Sequence, residues 1–202
     1  QESQNNAEEK IQVATQTVKT ADWASKVSLK GDVRLRFQAQ KNDPGLGRRR
    51  GRVRYRLGIV AQPTSGWEVG AGLASGSSDL RSTNQSFDST FSSKGINMDY
   101  AYAQYKLNDQ FKAIGGKFKF ANYLYTASDL MWDSDINPEG FSVNFTHNSE
   151  LGSTFANSGI WLLEENGGSV QDPHMIYGQI GQRFGSDSVF GTLAGTFYNI
   201  SD

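Results

Sequence analysis

The sequence predicts an all-β protein, an antiparallel up-and-down transmembrane β-barrel with a short N-terminal helical segment. Three observations predict it. From Val27 onward, apolar and polar residues alternate with a period of two over long stretches, the pattern of strands with one greasy and one wet face. Long and short connections between these stretches alternate along the chain. The chain is hydrophilic on average, with 37% hydrophobic residues, as expected when only every second strand residue faces lipid.

Residues 1–25 stand apart from the rest. Ala7, Ile11, Ala14, Val18 and Ala21 recur at spacings of four and three, a narrow helical stripe of heptad type. A lone helix of this length is marginal in water, so it should pack on a partner helix or inside the domain. Residues 26–202 read as the first part of the barrel. In the first strand Val27, Leu29, Val33, Leu35, Phe37 and Ala39 share one parity, and Lys30, Asp32, Arg34, Arg36 and Gln38 share the other. The second, "GRVRYRLGIV", sets Val53, Tyr55, Leu57 and Ile59 against Arg52, Arg54 and Arg56. Trp67, Val69, Ala71 and Leu73 form one face of the third. "FSVNFTH" (141–147) and "VFGTLAGTFYN" (189–199) repeat the style. Four stretches are less tidy, at 98–107, 112–120, 154–165 and 175–184. In the first of these we expect Tyr100 and Tyr102 to face outward. In the second we expect the same of Ile114, Phe118 and Phe120, which leaves Lys117 and Lys119 on the wet side.

Nine strands result. The connections at 62–66, 108–110, 148–152 and 185–188 are short, and those at 41–49, 75–96, 121–138 and 166–173 are longer. Outer-membrane barrels keep one rim short and the other long in this way. Such single-chain barrels close with an even strand number. The odd count therefore suggests roughly the first half of a barrel of about 16 strands.

Two features carry the charge chemistry. "RRRGRVRYRL" (48–57) is six-tenths arginine in a chain of formal net charge -1. Arg50, Arg52, Arg54 and Arg56 share a parity, and an arginine at the bilayer midplane costs about 2–4 kcal/mol. They are expected to face water, together with Arg34 and Arg36 on the neighbouring strand. The loop "ANYLYTASDLMWDSDINPEGF" (121–141) carries Asp129, Asp133, Asp135 and Glu139 beside Leu130, Met131 and Trp132. That apolar trio implies a loop that folds down and packs. Asp133 and Asp135 have a calcium-loop-like spacing, but Pro138 and Asn144 stand where an EF-hand needs Gly and Glu, so they are a weak candidate and no metal is assigned.

The remaining features exclude more than they assign. Without cysteine there is no disulfide framework or thiolate metal site. A pI near 6.2 argues against nucleic acid as a partner. The two histidines, His147 and His174, fall at opposite strand ends, so no shared catalytic site forms and no enzyme or cofactor is expected. No run of 18 apolar residues marks a transmembrane helix, and Gln1 opens on a polar segment, as in a mature secreted chain.

With strands and loops placed, the chain resembles a bacterial outer-membrane porin, nearest to the Putative porin family. The resemblance rests on "LKGDVRLRFQ" (29–38), "GGKFKF" (115–120) and "DLMWDSDINPEGF" (129–141), and covers residues 23–202. General porins bend the outer loop between strands five and six into the barrel, and 121–138 holds that ordinal place. The resemblance implies an eyelet. A basic wall of Arg34, Arg36, Arg50, Arg52, Arg54 and Arg56, with Lys117 and Lys119, would face the acidic residues Asp129, Asp133, Asp135 and Glu139. It also implies a homotrimer in contact with outer-membrane lipid and lipopolysaccharide. The N-terminal segment departs from the pattern and would be a periplasmic coil joining protomers or a helix in the lumen. The expected function is passive diffusion of small hydrophilic solutes and ions through a water-filled channel in the outer membrane. The alternatives are a structural anchoring barrel with a plugged pore, or a soluble ligand-binding β-barrel.

Overall fold

In the computed structural model, described over residues 24–41, 47–77, 79–88, 90–150, 152–168, 171–185 and 190–201, the period-two stretches form strands. They are β1 (Val27–Gln40), β2 (Arg48–Ala61), β3 (Trp67–Ser75), β4 (Gln85–Ser86), β5 (Ile96–Lys106), β6 (Phe111–Lys117), β7 (Glu139–Ser149), β8 (Gly152–Leu162), β9 (His174–Gly185) and β10 (Phe190–Ser201). All pair antiparallel in one sheet of order β1-β2-β3-β5-β6-β7-β8-β9-β10. β4 was not foreseen. It lies beside β2 beyond the end of β3, pairing Arg52 with Ser86 and Val53 with Gln85. Among the described residues the only other regular element between strands is a 3-10 turn at Phe120–Asn122. The helical stripe expected over residues 1–25 falls on 1–23, outside the described residues. Among the described residues no helix is long and apolar enough to cross a membrane, which says nothing of crossing by strands.

The strand ends Ala61/Trp67, Lys106/Phe111, Ser149/Gly152 and Gly185/Phe190 share one rim, and Gln40/Arg48, Ser75/Ile96, Lys117/Glu139 and Leu162/His174 the other. Short and long rims therefore separate as the connection lengths suggested. The sheet is not closed, with β1 and β10 at its two ends. The 118–138 segment reaches toward both: Trp132 bonds to Tyr198 on β10, while Asp135, three residues on, lines a cavity with Asp32 of β1.

The two faces are inverted relative to a soluble sheet. Leu29, Val33, Leu35 and Phe37 of β1 are 72%, 68%, 74% and 73% exposed. Leu57, Ile59, Val69, Leu73, Phe141, Val143, Ile180 and Phe197 continue this exposed apolar face strand by strand. The inner face carries the arginines, a row of amides and a small aromatic core of Phe118, Phe120, Tyr123, Leu124, Trp161 and Tyr177.

Two facing expectations are corrected. Tyr100 and Tyr102 point inward, because the β3–β5 register shifts between Gly72 and Leu73. Asp99 is the extra residue of this bulge, and a bulge re-aims the side chains that follow. The tyrosines lie over inner-face glycines. A Cβ on Gly70 would stand 2.6 Å from the Tyr102 ring. Ile114, Phe118 and Phe120 also point inward and are nearly fully buried. β6 ends at Lys117, so Phe118 and Phe120 belong to the segment that folds onto the inner face, where they cluster with Ile114.

Candidate functional site

The site is built on the 118–138 segment, which folds onto the inner face. Its anchors are aromatic. Trp132 packs edge-on against Trp161, centroids 5.4 Å apart, and tilts over Phe120 and Tyr198. Its indole N–H donates to the Tyr198 hydroxyl at 3.2 Å. Of the trio expected to pack, only Trp132 does so; Leu130 and Met131 are exposed. Phe118, Tyr123 and Leu124 do the packing in their place.

Polar clasps complete the attachment. The Tyr177 hydroxyl donates to the Tyr123 carbonyl at 2.7 Å and lies 3.0 Å from Ser142 Oγ, which accepts the Trp161 indole N–H. Burial pushes the Tyr123 hydroxyl above the ordinary phenol range, so it stays a neutral donor to Gln104 Oε1 at 2.7 Å. The Gln179 side chain holds the Tyr125 backbone as a strand partner would. Its Oε1 accepts the Tyr125 N–H at 2.8 Å and its Nε2 donates to the Tyr125 carbonyl at 2.9 Å. Gln179 also bonds Asn157 and Thr196, its register neighbours on β8 and β10. Asn144 continues the row to β7. On the other side Asn137 and Lys119 bind Asp99 at the β5 bulge.

A cavity of about 790 Å³ opens between this segment and strands β1, β2, β3, β5 and β6. Its walls bring Arg54, Arg56 and Lys119 together with Asp32, Glu68, Asp99 and Asp135. A second cavity of about 630 Å³ lies at the long-loop rim. It is lined by Asp79, Asp99, Asp135, Glu139, Glu164 and Glu165, and Lys117 is the one cation among its described lining residues.

The basic residues divide into two groups. Arg54 and Arg56 share Asp32, each with a 2.7 Å contact to one of its carboxylate oxygens. Among the described residues Arg34, Arg36, Arg50 and Arg52 meet only neutral groups. Arg34 donates to Asn84 at 2.7 Å, Arg52 donates to the Asn84 carbonyl and Ser82, and Gln38 serves Arg36, Arg50 and Arg52. Lys117 is not among the arginines. It pairs with Glu139, its register neighbour across β6 and β7, at 2.7 Å. Lys119 sits over the Tyr100 ring, 5.5 Å from its centroid.

Of the four acidic loop residues, Asp135 reaches both cavities. Asp133 accepts the Asp135 N–H at 2.9 Å. Asp129 is exposed at the tip. Among the described residues no ion pair joins these three to the arginines, and no third His, Cys, Asp or Glu joins Asp133 and Asp135 in a group able to hold a metal. Sequence reasoning missed Asp32, Gln38, Asp99 and Gln179. Asp32 and Gln38 were visible as wet-parity neighbours of the arginines; the other two were not signalled.

The inner face is thus rich in ordered polar groups, and the outer face carries bare apolar side chains. The profile of the family described as Putative porin matches residues 42–199. The chain belongs to this family. A search among curated proteins found no match.

Proposed function

We propose that the chain forms the wall of a bacterial outer-membrane channel for passive diffusion of small hydrophilic solutes and ions. The observation that carries this reading is the inverted sheet. Apolar side chains such as Leu35 and Phe37, about three-quarters exposed, are costly in water at about 25 cal/mol per Å², and are at home against lipid. The same inversion disfavours the soluble ligand-binding barrel. The family match supports a porin role in general. In this reading further strands close the wall, lipid and lipopolysaccharide cover the outer face, and the assembly is a homotrimer with no enzymatic role.

The inner face then acts on solutes by size and field. Segment 118–138 narrows the path. The arginines of β1 and β2 stand toward one part of it, and the carboxylates of Asp79, Asp135, Glu139, Glu164 and Glu165 toward another. Charges of opposite sign across a water-filled constriction orient polar solutes and reject apolar ones, which would have to displace ordered water. Planar-bilayer recording of the purified protein tests this. Discrete conductance steps are expected, and their absence overturns the channel reading.

A further inference from the structure

We infer that Arg36, Arg50 and Arg52, gathered around Gln38, form a binding site for a small oxyanion of the phosphate class on the inner wall. The inference rests on the channel reading for its place in the transport path, but not for the binding itself.

The wall uses one clamp geometry twice. Asp32 stands opposite Arg56 in the β1–β2 register and also takes Arg54, one residue pair further up the same face. Gln38 stands opposite Arg50 in the same way. Its single Oε1 accepts from Arg36 Nη2 at 3.1 Å, Arg50 Nε at 3.3 Å and Arg52 Nη1 at 3.4 Å. In the first clamp a carboxylate offsets two cations. In the second, one neutral amide oxygen is asked to serve three.

The second clamp is therefore short of negative charge. Arg36 and Arg52 face each other directly across the strands, an arrangement that like charges disfavour. No carboxylate lies within ion-pair distance of Arg34, Arg36, Arg50 or Arg52 among the described residues. Arg34 Nε and Arg52 Nε are buried without any acceptor, which is unusual for a charged group. Arg36, by contrast, is open to the lumen side and spends only one of its nitrogens on protein. Planar guanidinium forks bind tetrahedral oxyanions through paired charge-assisted hydrogen bonds. A phosphate group seated here would supply the acceptors that Gln38 supplies only once. The flexible Gln38 side chain, itself bonded to Gln40, can turn aside to admit it.

The test uses inorganic phosphate on the full chain. Calorimetric titration in detergent reads binding, and phosphate inhibition of chloride current in a neutral-lipid bilayer reads occupancy of the path. Wild type is expected to bind with saturation. Arg36→Gln with Arg50→Gln is expected to weaken binding at least about tenfold. Gln38→Glu removes no cation but places a fixed carboxylate in the clamp, and is expected to abolish both binding and inhibition. Its near-identical shape guards against a folding artefact in the arginine variant. Saturable binding that survives Gln38→Glu, or no binding to wild type, overturns the site. Absence of current with binding intact would instead overturn the channel reading alone.

Discussion

Gln179 offers the sharpest test of how the inward segment is held. Its amide makes two bonds to the Tyr125 backbone, one to Asn157 and one to Thr196. Gln179→Met keeps the length and bulk of the side chain and removes all four. The two bonds to Tyr125 are worth about 1 kcal/mol each, so local closure of the segment should weaken by about 2 kcal/mol. At about 1.4 kcal/mol per decade, the Tyr125 amide should exchange with deuterium roughly 30-fold faster. The loss of a partner for the buried Asn157 Nδ2 costs a further 1–3 kcal/mol or so, but it falls on global stability. The two effects therefore separate in one experiment, hydrogen exchange with the peptide around Tyr125 resolved from the strands. A variant that loses global stability while Tyr125 keeps its protection would refute the clasp.

Gly70→Val should destabilise the sheet by about 1–3 kcal/mol, because the new Cβ meets the Tyr102 ring. Thermal unfolding in detergent reads it, and an unchanged midpoint would count against inward tyrosines. In the 76–95 loop, a hydrogen bond from Lys94 holds the Asp88 carboxyl below its ordinary value of 3.8. The tie is fully present above that value and is lost as pH falls through the lowered one. Acid should therefore loosen the loop, seen as a chemical-shift step at Lys94 that Asp88→Asn eliminates.

The sheet was legible because alternation is a local property. β1 begins and ends where its pattern does, at Val27 and Gln40, and β3 spans the expected Trp67–Ser75. The family resemblance also read correctly from strand and loop phrases. Facing failed where one residue breaks the period. Asp99 adds a residue to β5, and every side chain after it changes side relative to Met98. It failed again at Ile114, Phe118 and Phe120, because β6 ends at Lys117 and the chain beyond it turns onto the inner face, carrying Phe118 and Phe120 over Ile114. The inward fold of that segment was readable from Trp132. Its true anchors, Tyr123 and Leu124, look no different in sequence from any strand residue. The arginine row was visible too. Its division into a neutralised and an unneutralised half was not, because that depends on which of Asp32 and Gln38 stands opposite which arginine.

Segment 118–138 is tied to β5 through Asp99 on one side and to β9 and β10 through Gln179 and Tyr198 on the other. It is thus a cross-brace between strands four places apart in the sheet. In the proposed channel the same peptide would be both obstacle and brace, and cutting it is expected to widen the path twice over, once by removing the obstacle and once by letting the wall relax outward.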